Sequence, residues 1–214
     1  MKKSQSGVPR PKKPFYKRFW FWLLVAICVV AIGSSSSSSS SSSKPTAESS
    51  SSSSTTVKKD PNVPNEYNNA LVKAAAYADS MNMSKQGIYD QLTSTAGEGF
   101  SAKAAQYAID HVKADYNKNA LAKAKSYSDD QAMSKAGIYD QLTSQSGEKF
   151  TADEAQYAVD NLKADYNKNA LTKAKEYESD QNMSPSAIQE QLTSDAGEKF
   201  TVSEAQYAVD NLDK

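Results

Sequence analysis

Few residues of this 214-residue chain have types and spacings that could do chemistry. Asp129 and Asp130 are adjacent acids, and two neighbouring carboxylates can divide general acid and general base roles between them. The segment that holds them occurs three times, however, and its other copies read Asp79-Ser80 and Ser179-Asp180. We therefore interpret the pair as part of a solvated loop.

The remaining reactive side chains occur singly. Cys28 is the only cysteine, so one chain can form neither a disulfide nor a cysteine metal site. His111 is the only histidine, which rules out a multi-histidine site. The sequence also has no glycine-rich phosphate loop, HExxH, CxxC or nucleophile elbow. It predicts a protein that is not an enzyme, with no catalytic residue, metal, cofactor or small-molecule substrate.

The charge of the chain is divided between a basic head and an acidic body. Residues 1–59 hold ten Lys or Arg and one acid, whereas residues 60–214 hold fifteen Lys, no Arg and twenty-four acids. Three short helices could suggest a DNA-binding helix-turn-helix, but DNA affinity depends on neutralising phosphates with Lys and Arg. A body with this acid excess repels polyanions, so we expect no nucleic-acid partner.

The head predicts a membrane anchor. Seven basic residues and no acid precede an uncharged apolar core at residues 19–32, so residues 1–18 are expected in the cytoplasm and the rest outside the cell. Gly33 and the first serines extend this core to a single transmembrane helix at 19–36. Cleavage as a signal peptide near Gly33 and lipidation of Cys28 stay open as alternatives. The predicted anchor residues are Phe19, Trp20, Trp22, Leu23, Leu24, Ile27, Cys28 and Val30.

A serine-rich segment at residues 37–65 follows the anchor. It includes most of two runs of consecutive serines and holds little that could be buried to offset the entropy of ordering the chain. We predict a disordered linker. By the root-mean-square scaling of flexible chains it reaches about 30 Å and keeps the body close to the outer face of the membrane.

The body repeats one pattern with a period of fifty residues. MSKQGIYDQLTS at 83–94 returns as MSKAGIYDQLTS at 133–144 and MSPSAIQEQLTS at 183–194. The intervening residues are mostly helix formers without sustained alternation, which predicts helices rather than strands. The fold class is therefore all-α: three tandem three-helix repeats at 66–116, 117–166 and 167–214, behind the anchor and the linker.

Capping signals place three helices in each repeat. The first repeat should have helices near 68–80 and 85–94, the second with Ser84 as its N-cap. Third helices should begin at the capping boxes Thr151-x-x-Glu154 and Thr201-x-x-Glu204, of which the first copy keeps only the cap, Ser101. Gly97, Gly147 and Gly197 are expected to close the middle helices in a left-handed conformation. With no Gly or Pro between repeats, each third helix could also continue into the next first helix.

These motifs resemble the repeat of the Ltp family of host cell surface-exposed lipoproteins. MS..GIY.QLTS occurs twice and returns as MSPSAIQEQLTS in the third repeat, and GE.F and AQYA.D occur in the same register three times, over nearly all of 68–214. The resemblance implies helix-turn-helix-like modules on the surface of a Gram-positive cell. It also implies superinfection exclusion, in which a prophage-encoded protein blocks DNA injection by an incoming phage by binding the tail tape measure protein.

A tape measure protein is long and helical, so a repeated helical surface could engage it by helix packing. The candidate contacts are Tyr89, Asp90, Tyr139, Asp140, Glu98, Glu148 and Glu198. The alternative for these residues is structural, with half-buried tyrosines and acids that cap or solubilise. Alternative functions are a bacterial surface adhesin or envelope-binding protein, and a membrane-tethered regulator with the opposite topology.

Overall fold

A computed structural model describes residues 57–213 of the chain. The predicted anchor at 19–36 and the predicted linker up to residue 56 lie outside these residues. Within 57–213, none of the helices combines the length and the apolar character that crossing a membrane requires.

The described residues form nine α-helices in three modules, which confirms the all-α repeat architecture. Each module contains a long helix, a short helix and a third helix of intermediate or equal length, with the loops at corresponding positions. Module 1 has α1 (Asn65–Met81), α2 (Lys85–Thr93) and α3 (Ala102–His111); module 2 has α4 (Tyr116–Gln131), α5 (Lys135–Thr143) and α6 (Ala152–Asn161); module 3 has α7 (Tyr166–Gln181), α8 (Pro185–Thr193) and α9 (Val202–Asp210).

Each module buries a small core in which alanine dominates. The first and third helices pack along each other, and the short helix packs against both of them. Alanine on the facing surfaces lets the two backbones approach closely, while one Ile and one Leu from the short helix fill the remaining volume. Six equivalent positions per module are fully buried: Ala70, Ala74, Ile88, Leu92, Ala105 and Ala108, and their counterparts 50 and 100 residues later.

The predicted N-cap residues are confirmed, whereas the first helix, predicted near 68–80, begins earlier, at Asn65. The Ser84 side chain accepts a hydrogen bond from the amide of Gly87, and Thr151 and Thr201 form complete capping boxes with their glutamates. Module 1 has Ala104 where the glutamate would be, and a residue from another helix replaces it. Glu66 of α1 accepts a hydrogen bond from the amide of Ser101 at 2.8 Å, so the cap of α3 is completed in space rather than along the sequence.

The expected left-handed role of Gly97, Gly147 and Gly197 is wrong. The middle helices end at Thr93, Thr143 and Thr193 with an extended C-cap serine, and the left-handed residues lie two positions after each glycine, at Gly99, Lys149 and Lys199. The glycines are needed for space. A Cβ at Gly147 would lie 2.5 Å from the carbonyl oxygen of Gln141, closer than any side chain permits.

The helices do not run on between modules. α3 ends at His111 and is followed by an extended Val112, and the Asp115 side chain then caps α4 by accepting a hydrogen bond from the Lys118 amide at 3.1 Å. Asp165 does the same for α7. The aspartate competes for the amides that a continuous helix would use, and this allows the chain to change direction between modules.

The last residues of the predicted linker contact module 1. The Asp60 amide donates to Asn68 Oδ1 and Asn68 Nδ2 donates to the Asp60 carbonyl, both at 2.8 Å. Val57 packs on the module 1 core, and Lys59 Nζ lies 3.5 Å from Asn69 Oδ1. Residues 57–60 therefore cover the start of the first module.

Candidate functional site

The three glutamates predicted as partner contacts each accept a hydrogen bond inside their own module. Tyr77, Tyr127 and Tyr177 donate their hydroxyls to Glu98, Glu148 and Glu198 at 2.5 to 2.6 Å. The hydroxyl of Tyr77, followed by the ammonium of Lys73, lowers the pKa of Glu98. These acids hold the first helix of a module against the turn that follows its short helix.

The predicted contacts Asp90 and Asp140 form ion pairs between modules. Lys149 of module 2 binds Asp90 of module 1, and Lys199 of module 3 binds Asp140 of module 2. Partial burial alone would raise the pKa of Asp90, but hydrogen bonds from Lys149 and Gln86 outweigh it and leave the pKa below its usual value. Both lysines have a left-handed backbone, with φ of 58°, which directs them back toward the preceding module.

The serine of the repeated MS dipeptide links one module to the next. Ser84 Oγ accepts the amide of Gly87 and also donates to the main-chain carbonyl of Glu148, at 2.5 Å. Ser134 makes the same pair of bonds with Gly137 and Glu198. Both serines are almost fully buried. The hydroxyl therefore caps its own helix and binds the neighbouring module at the same time.

An asparagine from the following module completes each junction. Asn119 Nδ2 donates to the carbonyls of Ala78 and Met83, at 3.1 and 3.0 Å. Asn169 Nδ2 donates to Ser128 Oγ and to the Met133 carbonyl, both at 3.0 Å. Because these polar groups are buried, leaving one unpaired would cost free energy, and this fixes the relative placement of adjacent modules.

A tyrosine adds apolar area to each junction. Tyr116 and Tyr166, the first residues of α4 and α7, pack against the cores of the preceding modules. Among the described residues, these two phenols are the buried side-chain groups without a hydrogen-bond partner. Burial, and secondarily the charge of Glu154, raises the pKa of Tyr116 to about 12. The rings thus stabilise the junctions by burial alone.

Gly87 and Gly137 lie in helices, at the position that Ala187 occupies in module 3. A Cβ at Gly137 would lie 3.1 Å from Ser134 Oγ and 3.7 Å from the Glu198 carbonyl. The glycine therefore leaves room for the Ser134 hydroxyl, which binds the next module, whereas the distance to the Glu198 carbonyl is an ordinary van der Waals contact. In module 3, Ala187 takes the place and its amide lies 3.4 Å from Ser184 Oγ instead of 3.0 Å.

The outer faces of α6 and α9 each carry an exposed tyrosine that the sequence analysis did not select. Tyr157 and Tyr207 expose 39% and 42% of their surface. Their counterpart Tyr107 is partly covered, because it stacks on His111 with ring centroids 4.0 Å apart. The predicted contacts Tyr89 and Tyr139 are half-buried beside their module cores. The AQYA motif recurs every fifty residues on the third helices. This recurrence could have identified the three tyrosines from the sequence.

The adjacent acids Asp129 and Asp130 lie in the last turn of α4 and not in a loop. Both are exposed, and Lys125 pairs with Asp129 along the helix surface. Within residues 57–213 no cluster of His, Cys, Asp or Glu side chains is suited to hold a metal ion.

Comparison with known proteins gives a family match over all three modules. Residues 65–112, 115–162 and 165–212 each match the family described as host cell surface-exposed lipoprotein. No curated protein matches the chain. Among solved structures, the chain is similar to Ltp, a superinfection exclusion protein from the Streptococcus thermophilus temperate phage TP-J34. The identity is 47%, over 48% of this chain and 100% of that chain, with a TM-score of 0.44. Since the matched segments span more than half of the sequence and confirm the resemblance of its motifs, the chain belongs to the Ltp family of host cell surface-exposed lipoproteins.

Proposed function

We propose that this chain is a membrane-anchored surface protein that excludes phage by blocking injection of their DNA. The observation that carries the proposal is the match of all three modules to the host cell surface-exposed family. Superinfection exclusion is the role that the description of the solved Ltp structure assigns to that protein. The acid excess of the body agrees with a protein partner rather than a nucleic acid.

The proposed topology rests on the basic and apolar head. We infer a single-pass helix at 19–36 with a cytoplasmic N-terminus and extracellular modules, because seven basic residues and no acid precede the apolar core. Protease treatment of intact cells tests this topology. Modules outside the membrane should be degraded, whereas modules that survive until the cells are lysed would contradict it.

The partner that we infer is the phage tail tape measure protein. Its helical character suits an array of exposed helix faces, and several modules on one chain raise the local concentration of binding sites. The junction bonds support this, because modules in fixed register present a preorganised surface and lose less entropy on binding. Tyr157 and Tyr207 join Tyr89 and Tyr139 as proposed contacts, since exposed aromatic rings contribute strongly to interfaces.

Expression of the full chain in a phage-sensitive strain tests the function. We expect normal adsorption of the excluded phage, no injection of its DNA and a fall in plaque count; a variant ending at residue 56 is the control. Unchanged plaque counts across many phages would refute exclusion and favour the adhesin alternative. Phages selected to grow on the expressing cells should carry changes in the tape measure gene, and changes confined to other genes would contradict the proposed partner.

A further inference from the structure

One turn of module 2 makes contacts inside its own module and contacts to the preceding module. We call residues 144–150, which follow the short helix α5, and their counterparts 94–100 and 194–200 the GE turns. Inside module 2, the Glu148 carboxylate accepts the Tyr127 hydroxyl at 2.6 Å. Toward module 1, the main-chain carbonyl of the same Glu148 accepts the Ser84 hydroxyl at 2.5 Å. One residue therefore belongs to both sets of contacts.

The GE turn of module 2 is bonded to its own module at both ends. The Glu148 amide donates to the Gln141 carbonyl at 3.3 Å, and the Phe150 amide donates to the Leu142 carbonyl at 2.8 Å. The Phe150 ring is buried in the core of module 2. The carboxylate and the carbonyl of Glu148 are therefore placed by one short segment rather than by two separate loops.

The contact inside the module occurs in all three modules. In module 1, the first of the array, Tyr77 donates its hydroxyl to Glu98 at 2.5 Å. In module 3, Tyr177 donates its hydroxyl to Glu198 at 2.6 Å. A module therefore forms this tyrosine–glutamate bond whether or not another module precedes it.

The contacts to a preceding module, in contrast, require that module. Phe150 exposes only 4% of its surface, whereas its counterpart Phe100 in module 1 is partly exposed. Lys149 has a left-handed backbone that side chains disfavour, and it pairs with Asp90 of module 1. Module 1 has Gly99 at this position, which adopts the same backbone without a side chain. The GE turns of modules 2 and 3 are thus adapted to bind the module before them.

We propose that the GE turn couples the modules in one direction, so that the tyrosine–glutamate bond inside a module stabilises the junction with the preceding module. The Tyr127–Glu148 bond then supports the junction of modules 1 and 2, and the Tyr177–Glu198 bond supports the junction of modules 2 and 3. Loosening the bond in module 2 leaves the second junction intact, because module 3 binds module 2 outside its GE turn. The inference does not depend on what the array binds.

Two amides report the two junctions separately. The Gly87 amide donates to Ser84 Oγ, which also binds module 2, and the Gly137 amide donates to Ser134 Oγ, which also binds module 3. Opening a junction gives water access to the corresponding serine and speeds hydrogen exchange of the amide. Exchange of the full chain in detergent, followed by NMR, measures both amides in one experiment.

Two matched variants, Tyr127→Phe and Tyr177→Phe, each remove one hydroxyl. Tyr127→Phe should speed exchange at Gly87 about tenfold, because a hydrogen bond to a carboxylate is among the stronger ones in proteins. Tyr177→Phe should leave Gly87 unchanged and speed exchange at Gly137 by a similar factor. Val159→Ala is the control for stability, since it weakens the core of module 2 without touching the GE turn. It should speed exchange at Gly87 far less than Tyr127→Phe does.

Three results would overturn the inference. Unchanged exchange at Gly87 in Tyr127→Phe would show that the bond inside module 2 does not support the first junction. Equal acceleration at Gly87 by Val159→Ala would show that any loss of stability in module 2 opens this junction. Acceleration at Gly87 by Tyr177→Phe would show coupling without direction. Circular dichroism at the temperature of exchange shows that each variant is folded.

Discussion

Asn169→Ala should uncouple module 3 from module 2. The Asn169 amide reaches the Met133 carbonyl and the Ser128 hydroxyl, both at 3.0 Å and both in buried residues. The serine hydroxyl can rotate to another acceptor, but the carbonyl cannot move without moving the end of α4. The substitution therefore leaves one buried acceptor unpaired.

The expected cost follows from that acceptor. An unsatisfied buried carbonyl costs about 1–3 kcal/mol. Alanine is a better helix former than asparagine by about 0.5 kcal/mol, which offsets part of the loss. The net fall in the free energy of unfolding should be about 1–2 kcal/mol, with a less cooperative transition because neighbouring modules stabilise each other through their interfaces.

Urea unfolding of the full chain, followed by circular dichroism, measures both effects. Asn69→Ala is the matched control, since Asn69 occupies the same position in module 1 but is exposed and has no preceding module. The Asn69→Ala variant gains the same helix propensity but loses no contact between modules. Its free energy of unfolding should therefore change by no more than about 0.5 kcal/mol. If the two variants change stability equally, the junction does not depend on this asparagine and our account of module coupling is incorrect.

Three further predictions test other parts of the structure. Gly147→Ala should destabilise module 2 by about 1–3 kcal/mol in thermal unfolding, because its Cβ would lie 2.5 Å from the Gln141 carbonyl. Glu66→Ala should cost about 1 kcal/mol in urea by leaving the Ser101 amide uncapped, whereas Glu66→Gln, which keeps an acceptor, should cost less. The lowered pKa of Asp90 means that its ion pair stabilises the folded chain fully above the unfolded pKa of about 3.9, and that this is lost as the pH falls through the lower folded value. Urea midpoints measured from pH 6 to pH 2 should therefore fall less for Asp90→Asn than for the unchanged chain, and parallel curves would exclude this role.

Several features could be read from the sequence because their physical cause is local. A cap is a contact between residues three apart, so Ser84, Thr151 and Thr201 identify their helices without knowledge of the fold. The apolar spacing of Ile88 and Leu92 likewise places both on one side of a short helix. The fifty-residue period then specifies three copies of the same module.

The role of the glycines at the equivalent positions after the middle helices could not be predicted from local sequence patterns. The glycine at position 97 resembles a helix stop, yet it is required by the carbonyl of Gln91, whose approach depends on how the turn folds back. The replacement of a capping glutamate by Glu66 was equally invisible, because α1 and α3 meet only in the packed module.

The sequence by itself determined the helical class, the module and its number, since helix formation and capping act over three or four residues. Only the tertiary structure decided how the modules join. Ser84 and Glu148 are 64 residues apart, and Asn119 and Met83 are 36 apart, so no local pattern links them. The same asparagine is exposed in module 1, as Asn69, and a buried junction contact in module 2, as Asn119, because a neighbouring module covers only the second.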